Sequence, residues 1–180
     1  MTAGRPPLAC RSALCATLLL WAAHAWAQVD VDRLKLSYTL HFISMIQWEK
    51  TDGPRREITV CSFPETRFGR QMLTVFEEKA IAGQPVRTRG LALNNPQLAS
   101  CDLLFIPESL AAFAPSLLER TSSAPMLTIS DINGFVGKGG IIGFVIEGDR
   151  LRFDIDAQLA SRQGIRISAK LLELARQVHR

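Results

Sequence analysis

The chain has 180 residues, 47% of them hydrophobic and 21% charged, with a formal net charge of +4 at pH 7. That length supplies one domain with ample material for a core. The basic excess is small and scattered along the chain, which excludes a nucleic-acid footprint, and no repeat or low-complexity segment interrupts the sequence.

The first 27 residues read as a segment apart. Arg5 and Arg11 form a basic n-region, Ser12 to Ala23 an apolar h-region, and Ala25-Trp26-Ala27 a small-x-small cleavage site. Together these describe a secretory signal peptide. Its removal is expected to leave a mature domain over residues 28–180, exported to the periplasm, with no other stretch of transmembrane length. The basic count then falls from 21 to 19 against 17 acidic residues, a net charge of +2. Cys10 and Cys15 leave with the leader, so the mature domain keeps Cys61 and Cys101. Two cysteines in an oxidising compartment read as one disulfide; two buried free thiols are the alternative.

Leu34, Tyr38, Phe42 and Met45 recur at helical spacing, with His41 and Trp48 on or beside the same stripe. They predict a helix over Val31 to Trp48, ended by Thr51-Asp52-Gly53-Pro54. Glu57 to Phe63 is a β-branched run and a predicted central strand, with Cys61 near its carboxyl end. An amphipathic helix follows, in which Phe68, Met72, Val75 and Phe76 share a face. Gly83-Gln84-Pro85 breaks it, and Val86 to Arg89 is a brief exposed strand. After the Asn94-Asn95-Pro96 loop comes the most apolar strand, Cys101 to Ile106, then an amphipathic helix over Ser109 to Glu119 and a strand over Ala124 to Ile129. This order predicts an α/β fold: a single domain with a mixed, largely parallel sheet flanked by helices.

From Leu127 to Asp156 the pattern changes. Ser130 and Asp131 stand at a strand's carboxyl end, and a loop punctuated by Gly134, Gly137, Gly139 and Gly140 follows. Glycine there signals tight turns and close backbone approach. The loop lacks the GxxxxGK[ST] spacing and precedes a strand, so a phosphate loop is not supported. Ile142, Phe144 and Ile146 alternate along one arm of an antiparallel β-hairpin, and Leu151, Phe153 and Ile155 along the other, around Glu147-Gly148-Asp149. A terminal helix is expected over Ser168 to Val178.

Little here points to catalysis. The mature chain has two histidines, His41 on an apolar helix face and His179 at a fraying terminus, with no cysteine or carboxylate at ligand spacing to either. Ser130 lies where α/β folds place ligands, yet neither GxSxG nor a base accompanies it. Glu147, Asp149, Asp154 and Asp156 read as a solvated face. No metal site, cofactor or enzymatic activity is expected.

The sequence resembles the YfiR-like family, which includes HmsC. The resemblance runs through Tyr38, Phe42 and Trp48; Cys61, Phe68-Gly69 and Gly83; Cys101, Leu104-Phe105-Ile106 and Ser109; Ser130-Asp131, Gly134-Phe135, Gly139-Gly140-Ile141 and Phe153; and Gly164, Ile165, Ile167-Ser168, Lys170-Leu171-Leu172 and Leu174-Ala175. His41, Glu49, Asp156 and Ala169 depart from the family's usual asparagine, proline, asparagine and serine. The resemblance implies a periplasmic inhibitor that binds the periplasmic sensor domain of an inner-membrane diguanylate cyclase, lowering cyclic di-GMP output and with it biofilm and exopolysaccharide production. It also implies a homodimer, a disulfide at the positions of Cys61 and Cys101, and sequestration by an OmpA-like outer-membrane lipoprotein. The alternative is a periplasmic small-molecule-binding sensor module that signals to a kinase or cyclase. Two partner surfaces are expected. One is the loop from Ile132 to Gly140, with Phe135 as an exposed anchor or, alternatively, folded into the core. The other is the basic stretch of Arg162, Arg166 and Lys170.

Overall fold

The computed structural model describes residues 31–48, 57–94 and 96–180. The expected signal peptide, the expected helix end at Thr51-Asp52-Gly53-Pro54, Glu49 and Asn95 lie outside the described residues. The chain comprises two units, Met1–Leu34 and Lys35–Arg180. In the smaller, residues 31–34 are helical; among the described residues every strand falls in the larger.

Among the described residues a helix over residues 31–44 (α1) is followed by ten strands and four further helices. The strands are β1 (Ile46–Trp48), β2 (Ile58–Ser62), β3 (Ala80–Ile81), β4 (Gln84–Gly90), β5 (Leu103–Ile106), β6 (Leu127–Ser130), β7 (Ile142–Glu147), β8 (Arg150–Asp156), β9 (Ile165–Ile167) and β10 (Gln177–His179). The helices are α2 (Arg67–Phe76), α3 (Ala114–Thr121), α4 (Ala157–Arg162) and α5 (Ala169–Leu174). Eight strands make one sheet in the order β10-β8-β7-β6-β5-β2-β4-β3, while β1 and β9 form a separate antiparallel pair. Within the large sheet, β7–β8 and β3–β4 run antiparallel and the other neighbours parallel. The expected mixed, largely parallel α/β domain with a hairpin near its end is the architecture observed.

Because side chains alternate across a strand, the sheet divides the core in two. Ile58 and Val60, Leu103 and Phe105, Leu127 and Ile129, and Ile142 and Phe144 face one side, together with Leu36, Phe42 and Ile43 of α1 and Phe68, Met72 and Phe76 of α2. Cys61, Phe63, Leu104 and Ile106 face the other, under Ala114, Leu117 and Leu118 of α3. Helix α2 starts where Thr66 accepts the Gly69 N–H at 3.0 Å, an N-cap that satisfies one of the helix's orphan donors. Tyr38 and Phe42 of α1 meet Phe144 and Phe153 of the hairpin, with ring centroids 4.7–6.4 Å apart across the group, distances at which aromatic pairs attract beyond simple burial.

Three expectations are corrected. The first helix stops at residue 44, and Ile46–Trp48 pairs with Ile165–Ile167 instead; strand pairing there outweighs the helical spacing of Trp48. The predicted helix over Ser109 to Glu119 is a 3-10 turn at Glu108–Leu110 followed by α3 from Ala114, with Pro115 in the first turn, where its missing N–H is harmless. The terminal helix ends at Leu174. The Arg176 N–H donates to the Phe153 carbonyl at 2.8 Å, and the next residues dock as β10 beside β8. His179 therefore sits opposite Asp156 in a parallel pair rather than in a frayed end.

Candidate functional site

Open α/β sheets hold ligands at the carboxyl ends of their parallel strands, where strand order reverses. From β2 the chain crosses to β4 on one side and then to β5 on the other, so the reversal lies between β2 and β5. Ser130, at the end of β6, is fully buried. Its hydroxyl donates to the Ile106 carbonyl at 2.6 Å and accepts the Ile132 N–H at 2.9 Å. It is spent on holding a turn. Asp131 follows Ser130, and one of its carboxylate oxygens accepts the Glu108 N–H at 2.7 Å, the other the Lys35 ammonium at 2.6 Å. The Lys35 nitrogen also lies 5.6 Å from the centre of the Phe68 ring. Sequence reading missed this arrangement, since Lys35 and Asp131 are 96 positions apart. Among the described residues no three His, Cys, Asp or Glu side chains group as metal ligands.

The glycine loop packs inward. Gly134 and Gly139 take φ of +66° and +94°, values open to glycine at no steric cost. These turns fold Phe135 onto Gly140 and Gly143, and a Cβ at Gly140 would run into the Phe135 ring. Phe135 is 1% exposed and Ile132 3%. An anchor must reach its partner before binding, so neither residue is an exposed anchor. The loop presents Asn133 and Lys138 to solvent instead.

Cys61 and Cys101 form a disulfide with Cα atoms 5.8 Å apart. Both sulfurs belong to the α3-side core, Cys61 fully buried and Cys101 nearly so. The bond joins β2 to the approach of β5 across the reversal of strand order, and its loop encloses α2, β3 and β4.

The basic stretch is exposed. Arg162 ends α4, Arg166 occupies the middle of β9, and Lys170 lies in the first turn of α5. Arg166 points away from the core because Ile165 on the same three-residue strand points into it. With Ser44, Met45, Gln47 and Ser168 it lines a cleft of about 180 Å³.

Two of the hairpin acids are not solvated as expected. Asp154 is buried and takes a two-pronged grip on Arg176, 2.8 Å to Nε and 2.5 Å to Nη2. The Asp154 hydrogen bonds hold the guanidinium pKa above its ordinary value. Asp156 caps α4 by accepting the Leu159 N–H at 2.7 Å, a task asparagine performs equally well. Conversely, His41, placed on an apolar face from sequence, is exposed.

The fold recurs in solved structures. A conserved domain protein from Vibrio cholerae O1 biovar eltor aligns at 12% identity and a TM-score of 0.54, over 68% of this chain and 54% of that one. The ABC domain in complex with L-Trp from Streptococcus pneumonia aligns at 17% identity and a TM-score of 0.52, over 68% and 56%. The chain thus spans little more than half the length of either, and at these identities the likeness is one of fold. The match to a family is closer: residues 32–176 fit the YfiR/HmsC-like family as a whole. The chain belongs to the YfiR/HmsC-like family.

Proposed function

We propose that the mature chain, residues 28–180, is a periplasmic negative regulator that binds the periplasmic sensor domain of an inner-membrane diguanylate cyclase and lowers cyclic di-GMP output. The observation that carries this reading is the family match over residues 32–176. A regulator of this kind shifts its receptor between states by no more than its differential affinity for them. Sequestration by an OmpA-like outer-membrane lipoprotein and self-association as a dimer belong to the same proposal.

With Ile132 and Phe135 in the core, the proposed contact surface is the exposed basic group Arg162, Arg166 and Lys170. Charges at the rim of an interface act chiefly on association rate and its salt dependence. The test is surface-plasmon measurement on immobilised cyclase sensor domains from the same organism. The wild-type protein is expected to bind one of them. The variant R162E/R166E/K170E is expected to associate at least about tenfold more slowly at low salt while remaining folded by circular dichroism. Failure of the wild type to bind any such domain overturns the function; an unchanged rate for the variant overturns the surface alone.

A further inference from the structure

The Lys35–Asp131 ion pair, beside the carboxyl ends of β5 and β6, is assembled from separate parts of the chain. Asp131 follows β6, the Glu108 peptide follows β5, Phe68 lies in the first turn of α2, and Lys35 arrives from α1. The lysine side chain is 9% exposed and the aspartate side chain 13%. A buried ammonium is strongly unfavourable without a close counter-charge, and an aromatic face adds attraction when the cation is desolvated. Asp131 is oriented without help from the lysine. The Glu108 N–H fixes one carboxylate oxygen, and the Ser130 hydroxyl pins the turn through the Ile106 carbonyl and the Ile132 N–H. The receptor half of the contact thus stands on β5, β6 and α2, and α1 adds the cation.

We propose that Asp131, held by the Glu108 peptide, and the Phe68 ring form a binding site for a primary ammonium, and that Lys35 is its tethered occupant. The carboxyl ends of β5 and β6, next to the reversal of strand order between β2 and β5, are then occupied by the chain's own side chain. Tethering gives the lysine a high effective concentration, so free amines do not displace it in the intact protein. A ligand reaching these strand ends has to expel Lys35 first. The geometry of the contact carries this independently of the proposed receptor.

Chemical rescue tests it. Lys35→Ala removes three carbons and the ammonium, the atoms of n-propylammonium. The variant is expected to melt roughly 10 °C lower than the wild type. Millimolar n-propylammonium chloride is expected to recover several degrees of that loss, while sodium chloride at equal ionic strength does not. The wild type, and K35A/D131N with its acceptor neutralised, are expected not to respond. Should K35A fail to fold on expression, its refolding yield from urea with and without the amine gives the same reading. Equal effects of amine on K35A and K35A/D131N, no effect on K35A, or a K35A protein as stable as the wild type would each overturn the proposal.

Discussion

Phe135 shows how much one residue's role depends on contacts that chain order does not display. Its ring occupies space left by the missing side chain of Gly140, its Cβ lies close to Gly143, and it belongs to the same cluster as Cys61, Cys101 and Leu104. Phe135→Ala therefore leaves a void in a close-packed interior, and about 3–5 kcal/mol of stability is expected to be lost. Urea denaturation followed by tryptophan fluorescence measures this as a lower midpoint at unchanged slope. A loss below about 0.5 kcal/mol, the range of surface substitutions, would show that the ring is dispensable to the core. The sequence marks this loop by its glycines but leaves the direction of Phe135 open, because an aromatic between turns has no periodicity to orient it. Lys35 and Asp131 are hidden for the same kind of reason. Each looks like an ordinary surface charge until β6 and α1 are brought together.

Among the elements, those with a strong local pattern were legible and the short ones were not. The β2 and β5 runs and the hairpin arms have compositions that decide their state locally. The α2 stripe does so too: Phe68, Met72 and Phe76 are buried as its spacing requires. β1, β9 and β10 have three residues each and owe their existence to partners elsewhere in the chain. Alternation also fails toward the tip of the hairpin, where Ile146 is 57% exposed while Phe144 packs on Tyr38 and Phe42 of α1. The β3–β4 connection carries a mismatch that sequence does not announce. Ala82 and Gly83 link the strands with φ of +50° and +80°. Both central positions of such a two-residue turn favour Asn-Gly, and alanine incurs a steric penalty in the left-handed region. Ala82→Asn is expected to stabilise the protein by about 0.5–1 kcal/mol. Differential scanning calorimetry would register this as a melting temperature higher by about 2–4 °C; a lower one would mean that the turn tolerates alanine without strain.

At the scale of the molecule, the disulfide divides the sheet unequally. Its loop holds the wing of α2, β3 and β4, whereas β6, β7 and β8 lie outside it. Closing a loop with 40 residues of sequence separation is worth about 4 kcal/mol in the chain-entropy model. The double substitution C61A/C101A is expected to lose a comparable amount, with amide exchange accelerated first in residues 62–100. A uniform acceleration across the sheet would contradict a wing-specific tether. The burial of both sulfurs further means that a reductant acts only on transiently opened molecules, so the native bond is expected to resist mild thiols until that wing loosens. The broad architecture was readable from sequence because parallel βα units impose it; the pairing of β10 with β8 was not. That last pairing bears on how the molecule is made. Synthesis delivers residues 177–179 after all the strands they complete, so until they arrive β8 offers its bare hydrogen-bonding margin to any neighbouring chain. Nascent copies that meet one another are exposed to intermolecular strand capture for as long as that interval lasts.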